Sequence, residues 1–338
     1  MRGKGGFIER LGDRVLDPAL SRPWRWALWL LAGLLLLDVA LGWYWSDEPD
    51  QFQVSEHPSD TRGATTTATL IRVAETLLEK PGGYLRNDML PHQFWLDNMP
   101  SWEYGALVQV RDMARSLRRD MSRSQSQSQE DPALAIAEPQ FNFDADSWIM
   151  PATESEYRRG IRALETYLAR LTGKTEGDAR FYARADNLSD WLNEVQNRLG
   201  SLSLALSKSV GRQELRVPRA AADMPGEAGK AVSGDQEKTP WLKIDNVFYE
   251  ARGATWALVH LMKGVQEDFA GVLEEKNART SYRQVIRELE ATQATVWSPV
   301  ILNGSGYGVL ANHSLVMANY ISRANAALID LRQLLQQG

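Results

Sequence analysis

This sequence predicts an all-α fold, a single N-terminal transmembrane helix followed by an extracytoplasmic bundle of long antiparallel helices, and three observations carry that prediction. Apolar residues recur at three- and four-residue steps through most of the chain. Ala27 to Trp45 is one apolar run interrupted only by Asp38. No comparable set of alternating apolar and polar positions, the mark of half-buried strands, accompanies them.

The 338 residues are 43% hydrophobic and 24% charged, ordinary values for a folded chain that could fill one large domain or two. A net charge of −5 without a concentrated basic patch argues against a nucleic-acid partner. Cysteine is absent, so the chain has neither a disulfide framework nor a thiolate metal site.

Residues 1–23 read as a cytoplasmic tail. Phe7, Ile8, Leu11 and Val15 repeat at helical spacing beside Arg10 and Arg14, which fits a short helix on the inner leaflet as well as a free positive tail. Residues 24–45 read as the transmembrane helix, close to the roughly 20 residues that cross a hydrocarbon core. Trp24, Trp26 and Trp29 at one end and Trp43, Tyr44 and Trp45 at the other suit the two interfaces, where aromatic rings collect. The first 25 residues hold six Arg or Lys against three acids, whereas Ser46 to Thr65 hold one Arg against five. By the positive-inside rule the N-terminus is cytoplasmic and the C-terminal domain periplasmic. Ala40-Leu41-Gly42 offers small residues that a signal peptidase could use. Against that reading, the apolar stretch exceeds the roughly 7–15 residues of a signal core.

Residues 46–63 are polar and read as a stalk, and 64–338 as the periplasmic helical domain. Ala64 to Lys80 reads as a helix closed by Pro81-Gly82-Gly83. Three long stripes follow. The first runs through Phe181, Ala185, Leu188, Leu192, Val195, Leu199, Leu202 and Leu206. A second runs through Phe248, Ala251, Thr255, Leu258, Met262, Val265, Phe269 and Val272. A third joins Leu310, Met317, Ile321, Ala324, Leu328, Leu331 and Leu335, with Ser314 in its one gap. Shorter copies appear from Leu107 to Met121 and from Ile161 to Leu171. Such spacing sets one face of each helix against partners packed nearly parallel, as in bundles and coiled coils. Thr153-Glu154-Ser155-Glu156 and Ser281-Tyr282-Arg283-Gln284 match capping boxes. Two segments, near 122–132 and 212–240, have polar or Gly- and Pro-rich compositions that read as flexible. The second could separate two domains, but the shared stripe width on either side favours an excursion within one bundle.

Gly306-Tyr307-Gly308-Val309-Leu310-Ala311 satisfies a permissive dinucleotide-binding pattern, yet no second parallel strand can follow it and no Gly-Lys-Ser/Thr completes a phosphate loop. The glycines read as a turn that lets a helix begin. Asn312, His313 and Asn319 give that helix a polar side, which reads as a solvated or hydrogen-bonded face, with a catalytic site as the alternative. His57, His92, His260 and His313 lack metal-ligand spacing, so no metal or other cofactor is expected. His260 falls beside an apolar stripe, as a half-buried histidine would.

Phe94 to Gly105, FWLDNMPSWEYG, reads as an aromatic loop in which Asp97 and Glu103 flank Trp102. Two carboxylates among aromatic rings are what a wall-cleaving hydrolase needs. Aromatic residues bridging the mouth of a bundle fit the same pattern. Asp38, roughly 10 Å inside the outer interface at 1.5 Å per residue, either reaches for headgroups or meets another transmembrane helix, with Gly42 permitting close approach.

The string LEKPGGY from Leu78 to Tyr84, the WLDNMPSWEYG segment, Ser124 to Ser128 and the C-terminal NGSGYGVLANHSLVMANYISRANAALIDLRQLL resemble an uncharacterised family of proteobacterial membrane proteins, domain-of-unknown-function family 2333. The resemblance runs from the anchor to the C-terminus and departs mainly between Arg212 and Pro240. It implies a bacterial inner-membrane protein with a periplasmic domain and carries no catalytic residue across. The expected function is accordingly an envelope interaction or scaffolding protein, not an enzyme, with an envelope protein or a second copy of the chain as partner. A cell-wall hydrolase and a ligand-sensing bundle are the alternatives.

Overall fold

The computed structural model describes residues 22–54, 60–89, 97–124, 129–210, 239–240, 243–297, 301–304 and 311–337. The amphipathic pattern of the tail, Phe94 to Leu96, residues 125–128 of the Ser/Gln-rich segment, nearly all of 212–240 and the glycines 306 and 308 lie outside these residues. The described residues form ten α-helices and no strand. In chain order these are α1 (Arg22–Trp45), α2 (Ala64–Glu79), α3 (Asn98–Ser116), α4 (Leu134–Phe141), α5 (Thr153–Leu171), α6 (Ala185–Ser209), α7 (Ile244–Asp268), α8 (Ala270–Glu275), α9 (Arg279–Ala291) and α10 (His313–Gln336). A short π-helical turn, Leu117–Met121, extends α3.

The aromatic loop expected before Gly105 is helical from Asn98 onward, the first two turns of α3. Pro100 does not interrupt it, because the first turn of a helix leaves its N–H groups without intrahelical partners, so proline costs little there. Neither expected capping box forms. Ser281 lies inside α9, which starts at Arg279. Thr153 opens α5, but its hydroxyl donates outward to the carbonyls of Asp144 and Ser147, both at 2.9 Å.

The apolar stripes otherwise find the core. Leu188, Leu192, Val195, Leu199 and Leu206 of α6 are buried, as are Met317, Ile321, Ala324, Leu328, Leu331 and Leu335 of α10. These two helices run antiparallel, with Ser203 bonded to Ser322 at 2.7 Å and Arg332 to Gln196 at 2.7 Å. Helices from both sides of 212–240 contribute to one continuous apolar cluster.

Helix α7 is the exception to one-sided burial. Every residue from Ala251 to Met262 is buried, so no face of this stretch meets water. A helix covered all round must be central. It packs most extensively on α3, and also on α2, α9, α6 and α10. The α3–α7 crossing is closer than side chains allow. A methyl group at Gly253 would overlap the Trp102 carbonyl, and one at Gly105 would overlap the Glu250 carbonyl and lie 2.8 Å from the Ala254 nitrogen. Each helix thus presents a bare backbone to the other.

Gly105→Ala and Gly253→Ala should each lower stability by about 3 kcal/mol, the upper part of the overpacking range, because backbone rather than a flexible side chain must yield. Gly200→Ala, whose new methyl would find its nearest neighbour 3.9 Å away, should raise it by about 0.5–1 kcal/mol through helix propensity. Urea unfolding followed by far-ultraviolet circular dichroism reads both signs. Equal tolerance at all three glycines would show that the crossing is not tight.

Candidate functional site

The site begins where the apolar helix ends. Trp45 closes α1 and lays its indole on Gly82, where an added Cβ would sit 2.8 Å from the ring. Gly82 and its neighbour Gly83 adopt φ of 85° and 71°, a left-handed pair that turns the chain back after α2. The turn is held from inside by Glu103. Its carboxylate accepts from the backbone N–H groups of Leu85 at 2.9 Å and Arg86 at 2.8 Å, and pairs with Lys80 Nζ at 2.6 Å. Lys80 also donates to the Gly83 carbonyl at 2.6 Å. Both charged side chains are shut off from solvent, 1% and 0% exposed. Burial pushes the Glu103 carboxyl above its ordinary value, while the Lys80 ammonium and the two backbone N–H groups pull against that shift.

Beyond Trp45, residues 46–54 of the segment expected as a stalk are docked as a strap along α7. Glu48 pairs with Arg252 at 2.6 Å, and Arg252 also donates to the carbonyls of Thr292, Gln293 and Ala294. Burial raises the Glu48 carboxyl from its ordinary value, opposed chiefly by Arg252. Four residues on, the Phe52 N–H donates to His260 Nε2 at 3.1 Å, and the Phe52 ring stacks on the imidazole with centroids 3.9 Å apart. The imidazole proton therefore sits on Nδ1, which donates to the Trp256 carbonyl at 2.8 Å. The Arg72 guanidinium lies over the Phe52 ring at 4.6 Å. Under the strap a polar cavity of about 460 Å³ is bordered by Asp47, Tyr249, Arg252 and Gln293.

The residues singled out in the sequence are dispersed. Glu103 belongs to the turn just described, with its side chain shut off from solvent. Asp97 precedes α3, half-buried, with no side-chain cap on that helix. Trp102 is fully buried, 5.0 Å from Trp256 between ring centroids. Asn312 and His313 organise the start of α10. The Asn312 carbonyl oxygen caps Leu315 N–H at 2.9 Å, Asn303 accepts from Ser314 N–H at 3.3 Å, and His313 Nδ1 accepts from Leu302 N–H at 3.0 Å. The glycine turn closes through Gly304 N–H to the Ala311 carbonyl at 3.0 Å and His313 N–H to the Leu302 carbonyl at 2.8 Å. Asn303 and Asn312 form one isolated antiparallel bridge. The N–H groups that an anion would need at this helix start are already occupied. Asp38 is half-buried on α1, two turns before Trp45. Among the described residues no three His, Asp or Glu side chains are grouped to hold a metal ion.

The strap was not foreseen. Its signal was Arg252, a charge placed between the stripe residues Ala251 and Thr255, since a buried guanidinium needs acceptors on several sides. His260, expected half-buried, is 0% exposed.

Burial holds the His260 pKa down from 6.5 to about 4. A histidine depressed in the folded state binds its proton more readily when unfolded, so its contribution is whole above pH 6.5 and is lost as pH falls toward 4. The loss should be on the order of 3 kcal/mol across that window, and His260→Gln should flatten it in urea midpoints measured against pH. For the buried pair, Lys80→Met should cost about 3–5 kcal/mol by leaving a carboxylate uncompensated. Adding Glu103→Gln should restore part of that stability, and a double variant no better than Lys80→Met would show that charge is not the cause.

No curated protein and no solved structure is significantly similar to this chain. The family DUF2333, described as an uncharacterised protein conserved in bacteria, matches residues 20–338, and the chain belongs to that family.

Proposed function

We propose that this protein is a single-pass inner-membrane protein, N-terminus cytoplasmic, whose helical bundle stands in the periplasm as an interaction or scaffolding protein of the cell envelope. The observation that carries the reading is the state of α1. Trp26–Trp45 is 20 residues long with mean hydropathy 1.8, and only 6% of it is covered by the rest of the chain. A core helix of that composition would be wrapped by its neighbours, whereas a lipid-embedded one needs no protein cover. The charge asymmetry across the span supports the orientation.

The interaction role draws support from the outer side of the α6–α10 pair. There a groove of about 570 Å³ runs between Ser207 and the Leu315 to Arg323 stretch, with Val316 exposed beside it. A helix from an envelope protein or from a second copy of the chain fits such a surface.

A reporter active only in the periplasm, fused after Gly338, should be active, and one active only in the cytoplasm should be silent. Purification from detergent-solubilised membranes should bring down a stoichiometric partner or a second copy. The reverse reporter pattern defeats the orientation. A monomer that repeatedly purifies alone after crosslinking in cells defeats the scaffold reading.

A further inference from the structure

We infer that the bundle makes a second contact with the bilayer, through an apolar loop tip, Trp148-Ile149-Met150, that dips into the outer leaflet beside the anchor. The inference rests on the membrane-anchor reading of α1. Three consecutive large apolar side chains point into solvent here, 55%, 58% and 87% exposed. A run of that kind on the surface is a liability unless something covers it.

The tip is presented by a built loop. The Ser147 hydroxyl closes it by donating to the Pro151 carbonyl at 2.8 Å, and Met150 takes a left-handed φ of 51° at its apex. From behind, the loop is fastened to the turn that carries the anchor. Tyr84 donates to the Ala145 carbonyl at 3.1 Å, Asn87 to the Ser147 carbonyl at 2.9 Å, and Arg86 pairs with Asp146 at 2.9 Å. That turn is the one on which Trp45 rests. Gly82 and Ala152 border the same small cleft, so the loop and the end of α1 occupy one side of the molecule. Two further large apolar side chains are exposed on segments next to these. Met89 follows the turn and is 71% exposed. Trp297 follows Val296, which borders the cavity under the strap, and is 92% exposed.

The chemistry selects lipid over a charged partner. An amphipathic Trp flanked by Ile and Met is suited to the headgroup–acyl boundary, where apolar burial supplies the affinity. The charged groups nearby are of both signs, Asp144 and Asp146 on the loop with Arg86 paired to Asp146 and Arg158 bordering the cleft, so no concentration of basic groups marks out anionic headgroups. Insertion should accordingly be driven by apolar area and be insensitive to salt.

Because the chain has no cysteine, single substitutions can carry a polarity-sensitive fluorophore on the full-length protein. Ile149→Cys and Met150→Cys report the tip. Leu36→Cys reports the anchor. Lys174→Cys lies past the far end of α5, about 28 Å from the loop at 1.5 Å per residue. With one chain per nanodisc of zwitterionic lipid, which removes both protein partners and second copies, the labels at 149 and 150 should shift to the blue. The shift should approach that of the label at 36 and persist in high salt, while the label at 174 reads as aqueous. An aqueous signal at 149 and 150 with an embedded one at 36 overturns the loop contact and leaves the anchor standing. An aqueous signal at 36 overturns both.

Discussion

Two glycines set the geometry on which the rest of this protein depends. Where Gly105 of α3 meets Gly253 of α7, backbone touches backbone, and the residues beside each glycine are aimed by that contact. Trp102 and Trp256 are brought together in the interior. Glu103, two positions before Gly105, points to the turn after α2, and Arg252, one position before Gly253, points to the strap. A wider crossing would carry both charged groups away from their partners. The close approach of α3 and α7 is therefore also what places the two attachment points of α1.

Both attachments use buried charge, which is rarely the most stable way to fill an interior. Their value lies in uniqueness. The Lys80–Glu103 pair accepts one arrangement of the 80–86 backbone, because the carboxylate must meet two N–H groups and an ammonium at once. Arg252 likewise collects three carbonyls from 292–294 and one carboxylate from the strap, using its planar set of donors to join segments far apart in the chain. Apolar packing alone would tolerate small slips at these places. Ionic and hydrogen-bonded groups without partners would not.

The sequence makes the helices legible because burial on one face writes a three-four repeat, and α6 and α10 follow theirs closely. It misleads where that link fails. In α7, burial on every side means the stripe understates the core, so His260 reads as half-buried and nothing in the stripe marks Arg252 as buried. At α3, a proline and a dense set of aromatic and acidic residues imitate a loop, though each suits the first turns of a buried helix. The strap is invisible to periodicity because it is extended, and its two anchoring contacts, Glu48 to Arg252 and Phe52 to His260, span more than 200 residues. Long-range pairing of single side chains leaves no local pattern to read.

The polar groups that first suggested chemistry are largely occupied in holding the chain. Glu103 fixes a turn, Asn312 and His313 start a helix, and His260 receives the strap. Among the exposed large apolar side chains outside α1, Trp148, Ile149 and Met150 stand together in one loop. A helix joined to its domain by a flexible stalk would leave the domain free to tumble above the membrane. Here Trp45 on Gly82 and Glu48 on Arg252 lie within four residues of each other at the end of α1, so the bundle is held at one attitude to that helix, the anchor in the reading proposed above. A domain held at a fixed attitude presents the same side to the bilayer throughout, and only then can exposed apolar side chains on that side be kept there rather than buried in the core.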